Sequence, residues 1–216
     1  MTIEVIFFDF DGTIADTLNA IVNITNRLAI QLNYKPITRE EITQLKNLSS
    51  RQIIKKSGIS ILKFPWLISK VKSELARDIK SVKTFPEITE TLIELRKHVP
   101  YLGILSSNSQ ENILAFLENN NLQTLFDFIY TEAPIFSKSR AINKILKQKN
   151  FRPEAIIYVG DETRDIEAAK RSCIKAIAVS WGFNSKEILA EQNPDFLIHQ
   201  PRDLVEVIKR LQLKTI

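Results

Sequence analysis

Two aspartates, Asp9 and Asp11, close a short apolar run, Ile3 to Phe8, and Gly12 and Thr13 follow at once. A run so rich in branched and aromatic residues reads as a strand buried on both faces, as in a parallel sheet. Carboxylates at the end of such a strand are costly unless a cation meets them, and a hard divalent ion such as Mg2+ takes oxygen ligands. An acidic D-G turn with no chemistry is the plain alternative. Other groups suited to one chemistry follow along the chain. Ser106 and Ser107 end a second apolar run, where a hydroxyl and the N–H groups of a starting helix favour an anion. Lys138 precedes a long helix and offers a point charge to phosphate oxygens and to a nucleophile. Gly160 and Asp161 end a third run, and Asp165, four residues on, shares a side of the helical first turn with Asp161. Singly, each has an ordinary reading: Ser106 as a helix cap, Lys138 as a surface lysine, Asp165 as a first-turn acid favoured by the helix dipole. Together, carboxylates from opposite ends of the chain, one lysine and one serine describe a phosphate site with a bound cation, in which Mg2+ offsets the repulsion among the carboxylates and the phosphate.

The elements that must bring these groups together fall into two kinds. Residues 16–32 carry apolar side chains at Leu18, Ile21, Ile24, Leu28 and Leu32, a helical spacing, with Asp16 or Thr17 available to cap its start. Thr38 and Glu41 have the spacing of a capping box opening a second helix. The apolar pattern breaks at Asn47 to Ser50 and again at Gly58, and residues 59–79 read as helix, with Pro65 near its start or outside it. Residues 15–82 thus hold several helices and no convincing strand, which predicts a helical subdomain inserted after the first strand, with linkers near Ala15 and Ser81–Phe85. From Phe85 the pattern alternates. Helices are predicted over 87–97, 110–119, 139–149, 163–171, 185–190 and 203–211. Strands are predicted over 101–105, 128–130, 155–159, 176–179 and 196–198. Repeated β-α units imply α/β architecture, a parallel sheet with helices on both faces.

The sequence now resembles the haloacid dehalogenase (HAD)-like superfamily of aspartate-nucleophile phosphatases, over essentially its whole length. Phe8-Asp9-Phe10-Asp11-Gly12-Thr13 matches the first motif, Leu105-Ser106 the second, Lys138 the third, and Val159-Gly160-Asp161 through Asp165 the fourth. The inserted helical cap and Val179-Ser180-Trp181-Gly182 resemble the phosphoglycolate-phosphatase-like branch. The resemblance implies a Rossmann-like, HAD-like α/β core over 1–14 and 83–216 and an all-helical cap over 15–82. It also implies roles. Asp9 is the nucleophile and Asp11 the acid and base. One oxygen of Asp9, the backbone carbonyl of Asp11, and Asp161 hold Mg2+. Ser106, the Ser107 N–H and Lys138 bind phosphate, and Asp165 acts in the outer shell or holds Lys138. Asn47 to Ser50 becomes the cap loop facing the core, and Arg51 either binds a second anionic group of the substrate or lies in solvent. Asp11 separates this chain from dehalogenases and phosphonate-cleaving relatives, and Ile21 stands where sugar-phosphate mutases carry a histidine. The chain departs from the pattern at Cys173 and Glu87, where relatives have glycine, and at Lys138-Ser139, which lacks the common lysine-proline pair. The alternative is a binding or regulatory protein that keeps the fold without turnover.

Composition sets wider bounds. Hydrophobic residues make up 44% of the 216-residue chain and charged residues 25%, enough for a real core. Cys173 is the single cysteine, which excludes an internal disulfide and suits a reducing cytoplasm. No signal peptide and no membrane-spanning run is apparent. The formal charge of +5 reads either as nucleic-acid binding or as a solvated surface that attracts anionic substrates. Basic and acidic residues are interspersed with no aromatic-interleaved stripe, which argues against nucleic acid; the resemblance implies a small phosphorylated metabolite as partner, no membrane, and a monomer or homodimer.

Overall fold

The computed structural model describes residues 2–60, 62–131 and 138–213. Six strands form one sheet in the order β3-β2-β1-β4-β5-β6, every neighbouring pair parallel. They are β1 (Val5–Phe8), β2 (Tyr101–Leu105), β3 (Phe128–Tyr130), β4 (Ile156–Gly160), β5 (Lys175–Val179) and β6 (Phe196–Ile198). The apolar run at the N-terminus takes the central place because all four β1 side chains find a buried partner layer. Ile6 and Phe8 point into one cluster with Leu102, Ile104, Ile157 and Val159, while Val5 and Phe7 point into the opposite one with Ile156 and Tyr158. Each such side chain contributes roughly 1.5–3 kcal/mol when fully buried.

Helices cover both faces. The first cluster takes in α5 (Ile88–Leu95), α6 (Gln110–Asn119) and α10 (Asp203–Leu213). The second takes in α7 (Lys138–Lys149), α8 (Thr163–Arg171) and Leu189 of α9 (Lys186–Glu191). No helix among the described residues is long and apolar enough to cross a membrane.

Between β1 and α5, the described residues form four α-helices, a single 3-10 turn (Ile79–Ser81) and no strand of the sheet: α1 (Leu18–Gln31), α2 (Arg39–Leu45), α3 (Ser50–Lys56) and α4 (Phe64–Asp78). The Thr38–Glu41 capping box forms as its spacing predicts. A second box, Ser49 with Gln52, opens α3, which the sequence reading passed over as a break. Helix α4 starts at Phe64 with Pro65 in its first turn, where the missing N–H costs nothing, so it is shorter than the predicted 59–79. Thr17 occupies the N-cap position of α1 but makes no side-chain capping bond. The two chain segments that join these helices to the sheet run side by side. Asp16 N–H donates to Lys83 O (3.0 Å) and Phe85 N–H to Ile14 O (3.2 Å), flanking an Ala15–Thr84 bridge.

Six described non-glycine residues have positive φ, and two of them, Glu87 and Cys173, stand where the family pattern has glycine. Glu87, ahead of α5, has φ 64°, and Cys173, just past α8, has φ 56°. The turn after α8 is therefore the left-handed one that a glycine would make, with Ile174 N–H closing back on Ala169 O. An L-residue there costs about 1–2 kcal/mol, partly offset by the entropy a glycine would lose on folding. Cys173→Gly and Glu87→Gly should each raise unfolding free energy by about 0.5–1 kcal/mol. Urea denaturation midpoints at unchanged slope check this.

Candidate active site

The chain leaves β1 toward β2 and β3 on one side and returns to β4 on the other, so the sheet reverses its winding between β1 and β4. The crevice beyond the carboxyl ends of strands at such a point is where open α/β sheets take ligands. Asp9 and Asp11 follow β1 there, and Asp161 follows β4.

At the centre lies a buried cation. Lys138, 3% exposed at the start of α7, sends Nζ to Asp9 Oδ2 (2.8 Å) and Asp165 Oδ1 (2.5 Å). Its ammonium also stands 5.1 Å from the ring centroid of Tyr158, whose hydroxyl donates to Leu105 O (2.7 Å). Phe136 and Ser137, which precede it in the predicted third motif, lie outside the described residues. Asp165 is set by the first turn of α8: its Oδ2 accepts from the N–H of Glu162, the residue that caps the helix. Burial raises the Asp9 pKa, but Lys138 and Arg164, with the Phe10 N–H on Oδ1 (2.8 Å), hold it below the usual carboxylate range. Burial lowers that of Lys138, and Asp165 and Asp9 more than reverse it.

Asp11 behaves differently two residues away. Burial and then the charge of Asp9 push its pKa up to about 6, against the Thr17 hydroxyl and the Asn108 amide. Asn108 Nδ2 lies 3.1 and 3.0 Å from the two Asp11 oxygens. Asn108 is itself aimed by Asn112, which donates to its Oδ1 (3.0 Å) and also to Lys72 O of α4 (3.0 Å). Ser106 Oγ is buried and accepts from Asn108 N–H (3.2 Å), and Ser107 lines the same cavity as Asp11.

Asp161 is fully buried, and its carboxylate accepts from Thr13 Oγ1 (2.7 Å) and Phe183 N–H (2.7 Å). It needs Gly12 and Gly182 beside it: a Cβ on either would fall 2.2 or 2.3 Å from Asp161 Oδ2. Gly12 also has φ 77°, a conformation other residues rarely adopt. Burial, then the neighbouring carboxylates of Glu162, Asp165 and Asp9, push the Asp161 pKa well up. Asp9, Glu162 and Asp165 each offer an oxygen within 4.8 Å of the others. An all-oxygen, like-charged donor set, with Asp9 and Asp165 buried and Glu162 half-buried, suits a hard divalent cation.

Four groups at this pole have no counterpart in the sequence reading. Asn108 was legible as part of the polar Ser-Ser-Asn-Ser stretch after β2, and Lys72 only as one of many helical lysines. Arg164 pairs with Glu162 and acts electrostatically on Asp9, Asp11 and Asp165. Lys72, from α4, lines the same cavity as Asp11, and its pKa is lowered by burial, against the charge of Asp11. Arg51 lies exposed in the first turn of α3, outside the cavity lining, whereas Ser50, Ile53 and Ile54 of the same helix line it. The segment 46–50 does meet the core. Asn184 Nδ2 donates to Lys46 O (3.2 Å) and Leu48 O (3.0 Å), Lys46 Nζ reaches Gly182 O (3.1 Å), and Ser50 Oγ reaches Glu162 (3.3 Å).

The family model described as haloacid dehalogenase-like hydrolase matches residues 6–179. A phosphoglycolate phosphatase of Synechococcus elongatus is 40% identical over 212 residues, covering 96% of this chain and 98% of that protein. The pyrophosphatase PpaX of Oceanobacillus iheyensis is 24% identical, with 96% and 98% covered. Among solved structures, one described as a predicted phosphatase from Clostridium acetobutylicum superposes with a TM-score of 0.83 at 18% identity, covering 97% of this chain and 100% of that one.

Asn108→Ala should lower turnover of a chromogenic phosphomonoester about ten- to a hundredfold, the worth of a hydrogen bond to a charged group of about 1.5–3 kcal/mol. Steady-state kinetics check it, with a thermal melt to show that the fold is kept.

Proposed function

Since the chain belongs to the haloacid dehalogenase-like hydrolase family and is a phosphatase resembling phosphoglycolate phosphatase, we propose that it hydrolyses small phosphomonoesters with Mg2+ through an aspartyl-phosphate. The observation that carries this reading is the contrast between two neighbouring carboxylates. Asp9 is held ionised by Lys138, and Asp11 is pushed up to about 6 within the same crevice.

Asp9 attacks phosphorus and the P–O bond to the leaving alcohol breaks. Asp11 gives its proton to the departing oxygen, then takes one from the water that hydrolyses the acyl-phosphate, which releases phosphate and restores Asp9. Ser106, the Ser107 N–H and Lys138 bind the phosphoryl oxygens, and Asp165 keeps Lys138 in place. Asp9, Asp161 and the backbone carbonyl of Asp11 would hold the metal, with Glu162 and Asp165 close enough to join or orient that set. Bound there, Mg2+ supplies the positive charge that lets a phosphate dianion approach several carboxylates.

Residues 15–82 act in this reading as a cap over a core of 1–14 and 83–216, and phosphoglycolate, named for the Synechococcus relative, is the first candidate substrate. The cytoplasm, suggested by the lone cysteine, is its setting.

Chelator should abolish phosphate release and Mg2+ restore it. Asp9→Asn should remove turnover with an unchanged melting curve, since the near-isosteric amide cannot attack phosphorus. Near-normal activity in either case sinks the proposal. Asp11→Asn should slow alkyl esters far more than aryl esters of acidic phenols, and should let phosphoenzyme accumulate in rapid-quench experiments. Equal losses with no trapped intermediate would mean that Asp11 builds the site without moving protons.

A further inference from the structure

The inserted segment lies along one side of α6, and asparagines make the join. Asn112 stands on that side, and Asn119 and Asn120 return to it two turns later. Asn112 Nδ2 donates to Lys72 O (3.0 Å), Asn119 Nδ2 to Lys80 O (2.6 Å) and Asn120 Nδ2 to Val82 O (3.4 Å). Three backbone carbonyls, spread from α4 to the exit of the inserted segment, are thus held by one helix of the core.

One of the three bonds leads further. Asn119 is exposed and Asn120 half-buried, whereas Asn112 is 2% exposed and its amide has a second partner. The same nitrogen donates to Asn108 Oδ1 (3.0 Å), one turn back along the chain. Asn108 Oδ1 also accepts from Ser109 N–H (2.7 Å), which occupies both lone pairs of that oxygen. The carbonyl end of Asn108 is therefore fixed, and its Nδ2 points the other way, onto the two Asp11 oxygens (3.1 and 3.0 Å). A reversed Asn108 amide would set N–H groups against two donors and an oxygen against a carboxylate. The direction of every bond follows from two backbone groups that cannot exchange roles, the donor Ser109 N–H and the acceptor Lys72 C=O. Without Asn112, Asn108 Oδ1 would keep a single bond, and the amide could turn about a broad, nearly two-fold torsion. Asp11 would then lose the fixed plane from which its proton must reach the leaving oxygen.

We infer that Asn112 is a positioning residue for the acid and base step. It aims the Asn108 amide, and with it the Asp11 carboxyl, from the backbone of α4, so that proton transfer depends on α4 lying against α6. Asn112 is absent from the cavity lining and acts only through Asn108. This rests on the phosphatase reading above and adds to it the group that sets its acid.

The test has two arms. In the first, kcat/KM, which reports phosphoryl transfer to the enzyme ahead of hydrolysis of the intermediate, is measured for two esters. Ethyl phosphate has a leaving group that needs a proton, and 2,4-dinitrophenyl phosphate has one that does not. Asn112→Leu, which keeps the size and removes both bonds, should lower the first about tenfold, the effect of one buried hydrogen bond, and the second by less than about twofold. Asn119→Ala, which removes a bond of the same kind from the same helix with no path to Asp11, should leave the ratio of the two esters within about twofold. Equal losses on both esters in Asn112→Leu, or none, overturn the inference, because a residue that only supports the fold acts on both alike. In the second arm, side-chain amide exchange is followed by NMR in protein labelled with nitrogen-15 at asparagine. The Asn108 amide protons, identified by their absence in Asn108→Ala, should be protected in the unaltered protein and exchange about tenfold faster in Asn112→Leu. Unchanged exchange overturns the inference whatever the turnover. Faster exchange in a protein that hydrolyses neither ester upholds the link from Asn112 to Asn108 and sinks the phosphatase reading alone. Should Asn112→Leu fail to fold, Asn112→Ala, which removes the same bonds without adding apolar bulk, takes its place in both arms.

Discussion

One buried ammonium holds the site together. Lys138 is 3% exposed, and Asp9 and Asp165, its two partners, are buried with it. Removing either kind of charge alone would leave the other uncompensated in a low-dielectric setting, at a cost of several kcal/mol. The elements around it are arranged so that all three charges meet: β1 delivers Asp9, the first turn of α7 delivers Lys138, and the first turn of α8 delivers Asp165. Mutual neutralisation lets three charged groups sit under a sheet end that is otherwise packed with Ile, Val and Phe. The same arrangement keeps Asp9 ionised and leaves Asp11, which has no such partner, with a raised pKa.

Close backbone approach is the second constraint, and it extends from the first. Asp161 fits beside this cluster only because Gly12 and Gly182 present no side chain to it, and because Thr13 and the Phe183 N–H satisfy its oxygens. The Trp181 indole ties the same loop to Thr13 O (3.1 Å), so the turn after β1 and the loop after β5 are fixed to each other. That second loop also receives the segment between α2 and α3 through Asn184. A further path runs from α4 through Lys72 O, Asn112 and Asn108 to Asp11. Helix α4, through Asn112, and the segment before α3 are thus hydrogen-bonded to residues that touch Asp11 or Asp161.

Much of this was readable from residue order. A wholly apolar run ending in two aspartates has few places to go except the middle of a parallel sheet, and the alternation of helical and strand periods after Phe85 required such a sheet. The family resemblance carried by Asp9, Asp11, Ser106, Lys138, Asp161 and Asp165 agrees with the family model and the relatives. Helix ends were less legible. Short helices such as α3 depend on a capping box whose Ser and Gln also suit a loop, and α4 begins only where Pro65 permits. Glycine is missing at Cys173 and Glu87, yet both residues adopt the left-handed backbone that a glycine would take.

The sequence by itself determined the fold class and which residues stand at the strand ends, because both follow from local periodicity and from the cost of placing charge beside apolar runs. Only the tertiary structure decided which charges meet. Glu162, Arg164, Lys72 and Asn108 look like ordinary surface residues of helices and loops when read in line, and their spacing to Asp11 along the chain carries no signal. They become part of the site because β4 lies beside β1 and α4 packs against α1 and α6, a matter of three-dimensional closure. The cavity beside Asp11, lined by apolar residues of α1, α3 and α4, is of the same kind. The apolar stripes of these helices specify faces that avoid water, but whether such faces close on one another or stand apart around a cavity depends on how far the connecting segments and their hydrogen bonds to the core hold the helices open.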